Sequence, residues 1–176
     1  MHPIRIVLNE AEREQAFRLR YEVFTVEEND WRYVVEGRFV DGMDTERARL
    51  VVALSGFDVI ATSRLLLRSN GPFIHDEHYC WQALSEEMGI GRHELLDRVC
   101  LFDRTAVAAP FRGGGLYPKL LDFMGSKAKD SNSDLAVAVV DMRKPIVTKY
   151  LQRMGWVPFG NSTDETTSWI QLYKHL

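Results

Sequence analysis

The chain has 176 residues, 45% of them hydrophobic, enough apolar surface for one sizeable core and one ordinary domain spanning residues 1–176. A formal charge of −3 gives no general attraction to phosphate backbones or anionic membranes, so nucleic acid is not an expected partner. No apolar run approaches the roughly 20 residues that cross a bilayer, no basic-and-apolar leader opens the chain, and Cys80 and Cys100 have no metal-ligand spacing, which predicts a cytoplasmic protein with reduced thiols, no membrane span and no metal.

Residues 4–8 read as a first strand, and Asn9 is a suitable N-cap for a helix over 10–28. In that helix Ala16, Leu19 and Val23 share one face, while Arg18 and Glu22 point elsewhere. Residues 31–44 mix aromatics, Val, Gly and acids with neither period, which predicts an ordered loop of a length that often carries function. The β-branched and aliphatic runs 49–54 and 59–67, joined by Ser55, Gly56, Phe57 and Asp58, predict an antiparallel hairpin. A longer excursion follows, with a helix over 79–88 closed by Gly89 and Gly91, then a strand over 95–108. His75, His78 and His93 lie in this excursion without metal spacing and are expected as surface or packing residues.

Helical spacing restarts over 112–129, where Leu116, Leu120, Leu121 and Met124 make an apolar stripe. The uninterrupted apolar run 135–140 reads as a strand buried on both faces. A helix over 145–154 has Pro145 in its first turn, and strands over 156–159 and 168–173 complete the set. The fold class is α/β (α+β), a mixed central sheet of about seven strands flanked by helices.

The sharpest feature is Arg112-Gly113-Gly114-Gly115-Leu116, where a strand passes into a helix. The first N–H groups of a helix have no internal partners and carry a partial positive charge, so such a turn suits a phosphate or pyrophosphate. Glycine lets the ligand approach the backbone, and Arg112 adds a planar donor fork. The alternative is a tight strand-to-helix connection with a solvated arginine. Neither a Walker loop nor a dinucleotide fingerprint is present.

Residues 107–116 resemble the pyrophosphate-binding segment of the GNAT acyltransferase superfamily, V-x-P-x-[FY]-R-G-x-G-[LI], with Pro110 standing where the family often has Gln or Arg. Residues 149–156, Lys-Tyr-Leu-Gln-Arg-Met-Gly-Trp, resemble the family's helix-to-strand sequence [YF]-x-x-[LM]-G-[FWY]. The resemblance implies a single GNAT domain whose donor is acyl-CoA or acetyl-CoA as substrate, or an acyl carrier protein. It implies that backbone groups of Thr105, Ala106 and Val107 meet the pantetheine arm, and that Arg112, Gly113, Gly114, Gly115 and Leu116 take the pyrophosphate. Many members use a tyrosine as general acid four residues before the glycine of the second motif; that position is Leu151, and Tyr150, one place off, is expected to be a packing residue.

The N-terminal half is similar to acyl-homoserine-lactone synthases and N-acyl amino acid synthases in their R-x-x-x-F helix, nearby Trp, D-x-x-D pair and G-x-x-R-L strand. The matching positions are Arg20, Phe24, Trp31, Asp41, Asp44 and Arg64, with Trp31 one residue late and Leu101 where the lactone synthases have Glu. This implies transfer of an acyl group to a small-molecule amine such as an amino acid, by a monomer or homodimer. Arg20, Asp41, Asp44, Arg64 and Arg104 supply both signs of charge: a carboxylate could hold the acceptor's ammonium or take its proton, and an arginine could clamp its carboxylate. The alternative is a salt-bridge network that pins the loop to the sheet. Asp103 and Asp141, near strand ends, are further general-base candidates, and Cys100 is expected to be a buried structural thiol. Small residues at Ala106, Ala108 and 136–138 could leave an apolar tunnel for a long acyl chain. Two other functions stay open: an acetyl-CoA-dependent N-acetyltransferase, and a module that senses acyl-CoA without turnover.

Overall fold

A computed structural model describes residues 2–73, 76–163 and 168–176; His75 lies outside the described residues. After β1 (Ile4–Ile6), Asn9 and Glu12 cap α1 (Glu10–Arg20) reciprocally. Asn9 Oδ1 accepts the Glu12 N–H at 2.9 Å, and the Glu12 carboxylate accepts the Leu8 N–H and Asn9 Nδ2, both at 3.0 Å. Ala16, Leu19 and Val23 are buried and Arg18 and Glu22 exposed, as the spacing predicts. The chain is helical to Glu27, but Tyr21–Glu27 is a π-helix rather than a continuation of α1. Apolar periodicity over seven residues does not separate the two turn widths.

The predicted loop 31–44 contains a small hairpin, β2 (Val34–Val35) with β3 (Arg38–Phe39). Its turn has φ of 50° at Glu36 and 73° at Gly37, and strands of two residues are too short to show alternation in sequence. The hairpin β4 (Ala48–Ser55) and β5 (Asp58–Leu67) forms as predicted. Helix α2 (Trp81–Met88) ends at Gly89 in the left-handed region. A further helix, α3 (Arg92–Arg98), occupies the start of the predicted strand 95–108, and β6 is therefore Val99–Val107. Arg98 approaches Glu94 at 3.9 Å, an i,i+4 pairing that only a helix brings together, and the apolar run beyond it hides the switch from helix to strand.

Helix α4 (Leu116–Lys129) begins after Arg112–Gly115 rather than at Arg112. It is followed by β7 (Leu135–Asp141), α5 (Pro145–Arg153), β8 (Val157–Thr163) and β9 (Ser168–His175). Seven strands are joined by hydrogen bonds in the order β1-β4-β5-β6-β7-β9-β8, a mixed sheet in which β6 and β7 are parallel. The fold class is the expected α/β class.

Contacts divide the chain into two units, residues 1–66 with 102–127, and residues 67–101 with 128–176. In the first, β1, β4 and β5 are antiparallel, and Ala16, Leu19, Val23, Val52, Leu54, Val59 and Ala106 form one buried cluster. Gln15 ties α1 to the hairpin by accepting the Val59 N–H at 2.8 Å. Leu116, Leu120, Leu121 and Met124 of α4 are buried, as their stripe predicts. In the second unit β7 is buried along both faces and pairs with β9 over its whole length. The buried Gln171 of β9 accepts the Cys80 N–H and donates to the His78 carbonyl, both at 2.8 Å, anchoring the start of α2.

Asn9→Ala removes one half of the reciprocal cap and is expected to cost about 1 kcal/mol; a fall in the urea midpoint without a change in slope checks it.

Candidate active site

Three arginines and three aspartates of the first unit meet in one network: Arg20 from the end of α1, Asp41 and Asp44 from the segment after β3, Arg64 from β5, and Asp103 and Arg104 from β6. Arg64 is its hub. Its Nε and Nη2 donate to Asp103 at 2.8 and 2.6 Å, its Nη1 donates to Asp41 at 2.5 Å, and the same nitrogen lies 3.1 Å from Asp44. Arg20 Nη1 reaches Asp44 at 2.8 Å, and Arg104 Nη2 lies 2.7 Å from Asp41. The six charges cancel, which is the condition for burying them at all.

Their environments differ. Arg20, Arg64, Asp41 and Asp44 are enclosed, whereas the side chains of Asp103 and Arg104 are 18% and 19% exposed. Burial alone would raise the Asp41 pKa, but the hydrogen bonds and charge of Arg64 and the charge of Arg104 outweigh it and hold the carboxyl well below the ordinary aspartate range. Burial would likewise depress Arg64, and Asp103, Asp44 and Asp41 reverse it. The Asp44 carboxylate also accepts the Asp41 N–H at 3.1 Å. The Asp41 carboxylate likewise accepts the Met43 N–H at 2.9 Å, so both aspartates are engaged by arginines and by backbone. Arg20 is the exception to full pairing: its Nε and Nη2 have no hydrogen-bond partner among the described residues, and its guanidinium lies 5.5 Å from the Phe17 ring.

Arg104 has φ of 51°, a left-handed conformation inside a strand. In a regular strand Asp103 and Arg104 would point to opposite faces; here both enter the one network. The Arg104 guanidinium lies 4.8 Å from the Tyr33 ring and 5.1 Å from the Phe39 ring, so the small hairpin supplies aromatic walls together with Asp41. Sequence reasoning passed over Tyr33, whose only signal is its place in an aromatic-rich loop. Trp31, matched there instead, is 60% exposed and donates to Asn29. Phe24 packs on Phe39 with ring centroids 5.0 Å apart.

Beyond Arg104 the strand leads to the glycine-rich loop. Thr105 Oγ1 is 2.6 Å from Ser63 Oγ, and the Ala108 N–H donates to the Ile60 carbonyl at 2.9 Å. Ala106 belongs to a buried apolar cluster, and Ala108 is partly buried against it. Ala109–Phe111 form a 3-10 turn, and Gly113 and Gly115 have φ of 77° and 76°. Side chains added there would meet open space but not an allowed backbone conformation. Among the described residues no hydrogen bond engages the N–H groups of these glycines. Arg112 donates Nε to the Val107 carbonyl at 2.9 Å and grips Glu27 with its two terminal nitrogens at 2.8 and 2.7 Å. Glu27 lies 85 positions away from Arg112, and nothing in the sequence links the two.

The second unit holds the remaining candidates. Asp141 is tied to Arg143 by a 2.5 Å bond. Cys100 is fully buried, and burial pushes its thiol far up, so it is a packing residue. Tyr150 is 39% exposed, and Leu151 is buried. His78 and His93 lie at the surface. Among the described residues no group of three or more His, Cys, Asp or Glu could hold a metal ion, and no helix is long and apolar enough to cross a membrane.

No protein-family model and no curated protein matches the chain. Solved structures do. A CoA-dependent acyl-homoserine lactone synthase, BjaI, with SAM and isopentyl-CoA, is similar with a TM-score of 0.76 and 22% identity, over 98% of this chain and 82% of that one. FeeM, an N-acyl amino acid synthase from uncultured soil microbes, is similar with a TM-score of 0.72 and 13% identity, over 99% of this chain and 91% of that one. An acyl-CoA N-acyltransferase from Pseudomonas aeruginosa is similar with a TM-score of 0.69 and 18% identity, over 99% of each chain. The chain thus has the GNAT fold, as residues 107–116 and 149–156 lead one to expect.

Arg64→Met leaves three carboxylates without their hub and is expected to cost about 3–5 kcal/mol. Because the folded Asp41 pKa is depressed, its contribution is present above about pH 4 and is lost as pH falls below that value. Urea midpoints at about pH 7 and about pH 3 should therefore fall more steeply for the wild type than for the less stable Asp41→Asn.

Proposed function

We propose that this chain is an N-acyltransferase that moves an acyl group from the thioester of CoA to the amine of a small molecule such as an amino acid. One observation carries the reading: β6 runs from a charged, aromatic-walled site at Asp103 and Arg104 straight into a loop with an arginine and three glycines at the start of α4. That continuity suits a donor whose reactive thioester and pyrophosphate lie at opposite ends of an extended arm. The loop's N–H groups and Arg112 would take the pyrophosphate, and backbone groups of Thr105, Ala106 and Val107 the pantetheine. The fold shared with the CoA-dependent synthase BjaI and the N-acyl amino acid synthase FeeM supports both donor and acceptor class.

In this reading the neutral amine attacks the thioester carbonyl directly. The C–N bond forms, the C–S bond breaks, the amine loses a proton to water and the thiolate takes one up. A backbone N–H of β6 stabilises the developing oxyanion. Arg104, at the solvent-reaching edge of the network, meets an acceptor carboxylate, with Asp103 beside it to attract the ammonium. Asp41, Asp44, Arg20 and Arg64 are positioning residues that hold Arg104 and its strained backbone in place.

A second donor, acyl carrier protein, is favoured by helix α5, where exposed Lys149 and Arg153 flank the 82% exposed Ile146, a basic and apolar face that complements an acidic partner.

Free thiol is to be followed on mixing the protein with acetyl-CoA or a long-chain acyl-CoA and a pool of amino acids. Amino-acid-dependent release is expected, and Arg112→Ala should raise the KM for the donor about tenfold. Release only from acyl carrier protein, weakened by Lys149→Glu, would favour the second donor. Tight donor binding with no release under any acceptor would overturn the transferase reading in favour of a sensor.

A further inference from the structure

Glu27 closes the π-helical segment that starts next to Arg20, and its carboxylate faces the donor loop. Both its oxygens are taken by Arg112, Oε1 by Nη2 at 2.8 Å and Oε2 by Nη1 at 2.7 Å, while Arg112 Nε is held by the Val107 carbonyl at 2.9 Å. The guanidinium fork therefore already grips an anion of the right shape, since two oxygens of a carboxylate and two of a phosphate meet it in the same bidentate way. The pair is within reach of solvent, with side-chain exposures of 44% for Arg112 and 39% for Glu27, so one anion can replace the other without opening the core. The adjoining glycine N–H groups have no partner among the described residues, which leaves the loop half satisfied: its arginine is occupied and its backbone donors are not.

We propose that Glu27 is an internal occupant of the donor's phosphate site, which the donor displaces from Arg112 on binding, so that Glu27 sets donor affinity. This rests on the donor reading given above. The cost of each binding event includes the lost ion pair, and the gain comes from a phosphate that meets Arg112 and the free glycine N–H groups together. A carboxylate fixed at the end of a helix engages only the arginine, so the loop discriminates for a ligand that engages both.

The test is the Kd of CoA and of acetyl-CoA, measured by calorimetry on the full chain for the wild type, Glu27→Gln, Glu27→Ala, Arg112→Ala and Glu27→Gln/Arg112→Ala, with Glu22→Gln as the control for loss of one exposed negative charge. Thermal unfolding of each variant establishes that it is folded. Glu27→Gln and Glu27→Ala are expected to lower the Kd about two- to fivefold, the range set by an exposed ion pair, with no gain in the Arg112→Ala background and none from Glu22→Gln. A higher or unchanged Kd in both Glu27 variants would show that the carboxylate orients Arg112 rather than competing for it, and would overturn the proposal. A gain that persists without Arg112, or that Glu22→Gln reproduces, overturns it equally. If the wild type itself binds neither CoA nor acetyl-CoA, the donor reading fails first and is recognised by that result.

Discussion

The buried guanidinium of Arg64 is the constraint on which the first unit depends. A cation without solvent must be met by anions, and Asp41, Asp44 and Asp103 come to it from a loop and a neighbouring strand. Their excess charge is in turn neutralised by Arg20 and Arg104. An irregular segment after β3 is thereby tied to α1, β5 and β6 by ion pairs. Such a network adds little net stability against a hydrophobic replacement of the same volume, yet loss of any one member strands its partners. Through Asp41 the network reaches the Arg104 guanidinium.

Arg104 pays no heed to the alternation of a strand because its φ of 51° turns the chain at that point. A non-glycine residue holds that conformation only where its surroundings insist on it. Here the insistence comes from Asp41 on one side of the guanidinium and the rings of Tyr33 and Phe39 around it. The bend lies within the charge network, and β6 runs on from it toward the glycine-rich loop. The loop has its own electrostatic state, with Arg112 closed on Glu27.

The main helices and strands were legible because their apolar residues recur at one period or run without interruption: the stripe Leu116, Leu120, Leu121 and Met124, and the buried run of β7. What escaped was local geometry without a periodic signal. Helix α3 was hidden because its apolar residues merge with those of β6, and the hairpin of β2 and β3 because two residues cannot display a period. The π-helical turns after α1 keep Val23 buried, just as an α-helix would, so burial does not reveal them.

At the site, the sequence by itself determined the chemistry on offer: arginines and aspartates in near-equal number, a glycine-rich entry to a helix, and a spacing that resembles acyltransferases. Residue types and short motifs are local properties, and they survive being read in one dimension. Only the tertiary structure decided which charges are enclosed and which reach solvent, that Tyr33 rather than Trp31 lies against Arg104, and that Glu27 holds Arg112. These depend on groups tens of residues apart meeting at a few ångströms, where burial and pairing set the energy of each charge.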